Sequence, residues 1–108
     1  MEHCNVLKKL FPLQKKIPII CSHRGGKENV PENTIASFKQ SANYGIHCME
    51  NDIQLTKDNE IIILHDDTVN RTTNGKGAVR ELTLNELQKL DFGSWFSPLF
   101  KKIGRAHV

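Results

Sequence analysis

Two strand-like segments, Cys48 to Leu55 and Ile61 to His65, stand five residues apart, and that interval restricts the fold more than any other feature of the chain. A parallel return needs a crossover of about a dozen residues or more. Thr56-Lys57-Asp58-Asn59-Glu60 is too short for one, so the connection is a hairpin or an extended return. Lys57 to Glu60 carries turn chemistry. For a hairpin around Asp58-Asn59, Thr56 pairs with Ile61 and, counting outward, Asp52 falls opposite His65. Side chains alternate along a strand, so Glu50 shares the face of Asp52. Either connection draws two carboxylates and a histidine together.

The rest of the chain reads as alternating strands and helices. Residues 17–22 form an apolar first strand that runs into His23-Arg24-Gly25-Gly26 and a loop to Pro31. Asn33 is the expected N-cap of a helix over 34–44, closed by Gly45 at C′. Ile35, Phe38 and Ala42 share a face at helical spacing and are expected to be core. Asn74 to Gly77 is a turn signal, and Thr83-Leu84-Asn85-Glu86 is a capping box that predicts a helix over 84–90. Residues 3–15 are expected to form a short helical arm. This is an α/β pattern, in which chemistry sits at the C-terminal ends of strands.

Composition excludes several classes. The net charge of the 108 residues is +3, which implies no nucleic-acid footprint. No apolar run is long enough for a transmembrane segment, and residues 1–16 lack the apolar stretch of a secretory signal, so a cytoplasmic location is expected. Cys4, Cys21 and Cys48 are odd in number with no CxxC pair, which fits free thiols in a reducing compartment. Asp91-Phe92-Gly93 has no kinase context and carries no weight.

The residues with chemistry cluster at the strand ends. Glu50 and Asp52 are like charges on one face. They repel unless a cation or proton lies between them, and oxygen-only donors suit Mg2+ or Ca2+. On their own they also fit a solvated strand edge. His23 and His65 are of the residue type that can move a proton near pH 7, and Arg24 is suited to a bidentate grip on a phosphate. Asp66 and Asp67 are expected to fix a strand end or orient His65. Arg71 reads equally as a phosphate residue or part of a loop network. Glu32 and Asn33 are expected to shape the loop and helix start, and Phe92, Trp95 and Phe96 to form a small apolar cap.

Taken in order, His23-Arg24-Gly25, Pro31-Glu32-Asn33-Thr34, Glu50-x-Asp52, Thr56-Lys57-Asp58, His65-Asp66 and Arg71-Thr72-Thr73 resemble the glycerophosphodiester phosphodiesterase family. Leu64 to Ser97 looks most like its cytoplasmic bacterial-type members. The resemblance covers about residues 17–98. It implies a (β/α)8 TIM barrel that hydrolyses a small-molecule glycerophosphodiester to glycerol 3-phosphate and an alcohol with a divalent metal, Mg2+ or Ca2+. It assigns acid–base roles to His23 and His65, phosphate binding to Arg24 and metal ligation to Glu50 and Asp52. The third acidic ligand of the family has no matched position here. Which histidine is the acid, and whether water or the glycerol 2-hydroxyl attacks, stays open.

Such a barrel takes about 250 residues. The chain is therefore expected to be its N-terminal part, truncated after about three strands. The divisions are an arm at 1–16, a partial domain at 17–102 and a tail at 103–108 that resembles translated sequencing adapter. The expected fragment is inactive and poorly stable, with Ile61, Ile62, Ile63 and Leu64 partly exposed. Alternatives are a non-enzymatic truncated product that binds through unpaired strand edges, and a lysophospholipase D-like member acting on lysophospholipids.

Overall fold

The structure, a computed structural model, describes residues 18–103. The arm at 1–16, Ile17 of the expected first strand, and the tail beyond Ile103 lie outside those residues.

Strand β1 (Cys21–Ser22) passes directly into a 3-10 turn, His23–Gly25, and runs parallel to β2 (Cys48–Met49). Helix α1 (Ile35–Asn43) connects the two. This β1–α1–β2 unit is the barrel-type element of the chain. The register sets Cys21 opposite Cys48 and Ser22 opposite Met49. The residues that follow each strand, His23 with Arg24 and Glu50, therefore emerge side by side.

The expected strand over 48–55 divides. Glu50 to Asp52 leave the ladder, and the chain re-enters one as β3 (Ile53–Leu55), antiparallel to β4 (Ile61–Ile63). The short connection is thus a hairpin, but its register differs by one from the expected pairing. Leu55 faces Ile61 and Ile53 faces Ile63, and the Leu64 N–H donates to the Asp52 carbonyl at 2.8 Å. Asp52 accordingly lies opposite Leu64 rather than His65. The cause is a three-residue loop. The Thr56 N–H donates to the Glu60 carbonyl at 3.0 Å, and the Thr56 hydroxyl accepts from the Glu60 N–H at 2.9 Å. Asn59 turns the chain with φ +61°, a left-handed geometry that asparagine tolerates.

Helix α1 departs from expectation twice. Its N-cap is Thr34, whose side chain accepts from the Ser37 N–H while Ser37 Oγ accepts from the Thr34 N–H, both at 3.2 Å. Asn33 stands before the cap at φ +56°. Gly45 does follow the helix in the left-handed region, at φ +69°. The expected apolar stripe is not the buried face: Ile35 and Ala42 are exposed and Phe38 is half-buried, whereas Ser37 and Ser41 are buried. Small side chains are required there because α1 lies almost on the backbone of the β1 turn. Ser41 Oγ donates to the Gly25 carbonyl at 2.8 Å. A Cβ at Gly25 would strike Ser37 and come within 2.9 Å of Phe38 Cδ1.

The core forms farther along the chain. Ile62, Leu64, Val69, Val79, Leu87 and Phe92 make one cluster, with Leu82, Leu84 and Leu90 against it. A 3-10 turn (Val79–Glu81), helix α2 (Leu84–Gln88) and a 3-10 turn (Pro98–Phe100) frame it. The capping box at Thr83 and Glu86 is present as predicted, though α2 ends at Gln88 rather than residue 90. This cluster corrects the expected exposure of the isoleucine run. Ile62 and Leu64 are buried because residues 69–92 of the same chain fold over them, and Ile63, on the other face of the strand, is buried as well. Only Ile61, at 41 % exposure, faces outward, beside the exposed Ile53 and Leu55. Ile103 is held too, its carbonyl accepting from the Phe92 N–H at 3.0 Å.

Burial separates neighbours in this run. Ile62→Ala is expected to destabilise the fold by about 2–5 kcal/mol. Ile61→Ala should cost about 0.5 kcal/mol, the scale of surface changes. Urea unfolding of the two variants measures the difference.

Candidate active site

Arg24 lies in the left-handed region at φ +52°, followed by Gly25 and Gly26 at +78° and +86°. That tight turn points the Arg24 N–H at Glu50, whose Oε2 accepts it at 3.0 Å. The Arg24 carbonyl accepts from the Asn33 N–H at 2.9 Å, which closes the loop against the start of α1. His23 Nε2 stands 3.9 Å from the same Glu50 oxygen. The Arg24 guanidinium donates from Nη1 to Glu32 Oε1 at 3.1 Å, and its Nε lies 3.5 Å from Asp52 Oδ2. Asn33 Nδ2 donates to that Asp52 oxygen at 3.0 Å. Four of the five predicted site residues, His23, Arg24, Glu50 and Asp52, thus meet in one cluster. Parallel pairing of β1 with β2 brings them there, not a shared face of an unbroken strand.

His65 joins by a longer route. Its Nδ1 is 2.8 Å from Asp66 Oδ1. Arg71 holds Asp66 through two bonds, Nε to Oδ2 at 2.8 Å and Nη2 to Oδ1 at 2.9 Å. The same guanidinium reaches Glu32 through Nη2 at 2.7 Å and Nη1 at 3.2 Å. Glu32 therefore receives Arg24 from one side and Arg71 from the other. A continuous chain of polar contacts leads from His23 through Glu50, Arg24, Glu32, Arg71 and Asp66 to His65. Asp66 orients His65. Asp67 is exposed, and its backbone carbonyl accepts from the Val79 N–H at 2.9 Å. Trp95 flanks the network, with Arg71 5.9 Å from its ring centroid, and stacks edge-on with Phe96, itself edge-on to Phe100. Phe92 belongs to the core instead of a cap.

The electrostatics follow from these pairs. Burial raises the Glu32 pKa, but the hydrogen bonds and charge of Arg71, with those of Arg24, overcome it and hold the carboxyl below its usual range. The Arg71 bonds, aided by His65, hold Asp66 far below its usual range, and Asp66 and Glu32 in turn raise Arg71. Behind the cluster, the Cys21 thiol is pushed up to about 11, first by its hydrogen bond with Cys48 and then by burial.

The donor set fits a hard divalent cation at Glu50 and Asp52. Four carboxylates, of Glu32, Glu50, Asp52 and Asp66, face only two guanidiniums, and Asn33 Oδ1 is buried beside Asp52 with no hydrogen-bond partner. Oxygen donors alone suit Mg2+ or Ca2+. Among the described residues no group of three His, Cys, Asp or Glu is placed to hold a metal ion, so a cation at Glu50 and Asp52 would need further donors.

Sequence reasoning left Arg71 undecided and gave Glu32 only a loop-shaping role. The available signal was the clustering of acid and arginine in Glu32 and in Asp66 with Arg71, five residues apart. Nothing in the sequence indicated that one carboxylate receives both arginines.

An arginine flanked by two histidines and by carboxylates near strand ends is a set of groups suited to binding an anion and moving protons. Comparison with known proteins gives the family. The model of the glycerophosphoryl diester phosphodiesterase family matches residues 23–104, and the chain belongs to that family. It is 50% identical over 82 residues to a glycerophosphodiester phosphodiesterase of Caldanaerobacter subterraneus, covering 76% of this chain and 34% of that protein. It is 40% identical over 88 residues to human glycerophosphodiester phosphodiesterase 1, covering 82% of this chain and 26% of that one. The chain thus spans about a third or less of the curated relatives it matches. Among solved structures, a glycerophosphodiester phosphodiesterase from Agrobacterium tumefaciens superposes with a TM-score of 0.83 at 35% identity, over 85% of this chain and 40% of that one. A phosphodiesterase from Oleispira antarctica, solved with its product sn-glycerol-3-phosphate, superposes with a TM-score of 0.81 at 36% identity, over 85% and 37%.

The depressed Asp66 pKa makes the clamp pH-dependent. An acid with a lowered folded-state pKa stabilises above its unfolded value and loses that contribution as pH falls through its folded value. Asp66→Asn is expected to be less stable than the parent at pH 7. The gap should begin to close below about pH 4, where an unfolded aspartate takes up its proton. Thermal melts of both proteins between pH 7 and pH 2 measure it.

Proposed function

We propose that the protein to which this segment contributes hydrolyses glycerophosphodiesters to glycerol 3-phosphate and an alcohol, with Mg2+ or Ca2+. The observation that carries this reading is the convergence of His23, Glu50 and Asp52 on the single Arg24 turn. It gathers an acid–base group, an anion-binding group and hard-cation donors at the ends of two parallel strands. The product bound in the Oleispira antarctica relative supports the same substrate class.

In this mechanism Arg24 grips the phosphodiester and orients phosphorus toward the histidines. Phosphodiester cleavage needs two proton transfers, one from the attacking oxygen and one to the leaving alkoxide. His23, beside Glu50, and His65, fixed by Asp66, provide them from separate elements. Glu50 and Asp52 would hold the metal ion, which supplies Lewis-acid stabilisation of charge on the phosphoryl oxygens. Asn33 keeps Asp52 in place. A cytoplasmic enzyme of glycerophospholipid metabolism fits the absence, among the described residues, of any helix long and apolar enough to cross a membrane.

In the full-length enzyme, His23→Ala and His65→Ala are each expected to lower kcat by about 10²-fold or more. Arg24→Lys should raise KM, since an ammonium cannot replace a bidentate fork. Excess chelator should abolish turnover, and Mg2+ or Ca2+ should restore it. Steady-state kinetics with glycerophosphodiesters tests all three. Full activity in chelator would remove the metal from the reading, and near-normal kinetics of either histidine variant would remove that residue.

The 108-residue chain by itself is expected to show negligible turnover, because Glu50 and Asp52 have no third acidic ligand among the described residues. Assay of the purified chain with each metal checks this. Parent-like turnover would show that two carboxylates are enough.

A further inference from the structure

We propose that Glu32 is a positioning residue that couples phosphate binding at Arg24 to the orientation of His65. The proposal rests on the substrate reading above and adds a residue that touches neither phosphate nor the transferred proton.

Three observations carry it. Glu32 is 8 % exposed, yet its carboxylate is fully engaged, with Oε1 accepting from both Arg24 and Arg71 and Oε2 accepting from Arg71. The two arginines belong to opposite sides of the site. Arg24 lies on the β1 turn with His23 and Glu50. Arg71 lies beyond β4, with its other edge committed to Asp66 and through it to His65. Finally, Arg71 makes two bonds to each of two carboxylates, so it has little donor capacity left for a ligand. It acts as a bracket, whereas Arg24 gives Glu32 a single bond, from Nη1, and its buried Nε, 3.5 Å from Asp52 Oδ2, makes no hydrogen bond.

The physics explains why a carboxylate is needed. Between two guanidiniums, Glu32 neutralises part of their mutual repulsion and fixes each planar fork by directed bonds. A buried arginine that loses its acceptor must move toward another. For Arg24 the nearest alternative is Asp52, and that movement would draw its fork onto a metal-ligating carboxylate and away from phosphate. For Arg71 the consequence is a loosened Asp66 and a His65 free to rotate.

The test compares Glu32→Gln with Arg71→Lys in the full-length enzyme, reading inorganic phosphate binding by calorimetry and glycerophosphodiester turnover by kinetics. Glu32→Gln is expected to weaken phosphate binding about tenfold, raise KM similarly and lower kcat about tenfold. Arg71→Lys should lower kcat by a similar factor with phosphate binding within twofold of the parent, because Glu32 still holds Arg24. Glu32→Asp keeps the charge but is one methylene short of spanning both arginines. It should recover part of each loss, and it replaces the glutamine variant if that variant does not fold. Folded Glu32→Gln or Glu32→Asp with phosphate binding and both kinetic constants within twofold of the parent would overturn the proposal. Equal loss of phosphate binding in Arg71→Lys would also overturn it. An inactive parent that binds phosphate would instead count against the substrate reading, while the phosphate arm would still measure what Glu32 does for Arg24.

Discussion

The site depends on a turn of three successive residues in the left-handed region, Arg24, Gly25 and Gly26, placed where β1 ends. Two glycines make that geometry inexpensive, and the one non-glycine in it is the residue proposed to grip the anion. The turn directs the Arg24 N–H to Glu50 and its carbonyl to Asn33, so one backbone unit joins both strand ends to the start of the helix. The close seating of α1 follows from it. Small residues are needed at positions 37 and 41, and the serine hydroxyls there donate to the carbonyls of Arg24 and Gly25, the first of which also accepts from the Asn33 N–H.

From this anchor the charges are arranged in alternation. Each arginine lies between carboxylates, and each histidine lies beside one. The acidic excess is concentrated at Glu50 and Asp52, next to the arginine that would receive a phosphate. A metal ion there would offset repulsion between the carboxylates and an incoming phosphodiester, so the carboxylates and the arginine address the same ligand by different means. Arg71 gives four bonds to Asp66 and Glu32, and in the proposed scheme it ties the second histidine to the first group.

Much of this was legible in the sequence, for reasons that can be named. Short motifs with local mechanisms were read correctly, the capping box at Thr83 and the glycine after α1, and the five-residue interval narrowed the next connection to a hairpin or an extended return, of which the structure has the hairpin. The family, and with it the barrel class, followed from motifs in order. The failures were of another kind. The hairpin register turned on whether the Thr56 hydroxyl would accept from Glu60, one hydrogen bond that shifts every pairing by a residue. The helix face was misjudged because periodicity favours large apolar groups, while the close backbone contact at Gly25 admits only small ones. The isoleucine run was expected to await partners outside the chain, but Val69, Val79, Leu87 and Phe92 cover its Ile62 and Leu64. Glu32 could not be ranked because its role arises from a contact with Arg71, thirty-nine positions away.

The described residues are held together by two different kinds of force. The clustered apolar core draws only on Ile62 to Phe92. The β1–α1 region meets the later segment that bears His65 across Glu32 and Arg71, which are charged groups. Apolar burial is strengthened by sulfate and little affected by chloride, whereas partly exposed ion pairs weaken as mobile ions screen them. Ionic strength therefore acts unevenly on this architecture: its effect falls mainly on the more exposed Arg71–Asp66 pair, less on the buried Glu32 carboxylate, and little on the isoleucine core. A phosphodiester bound as proposed would carry its own negative charge to that seam, so the occupied and empty sites would differ in how strongly dissolved ions compete for the same arginines.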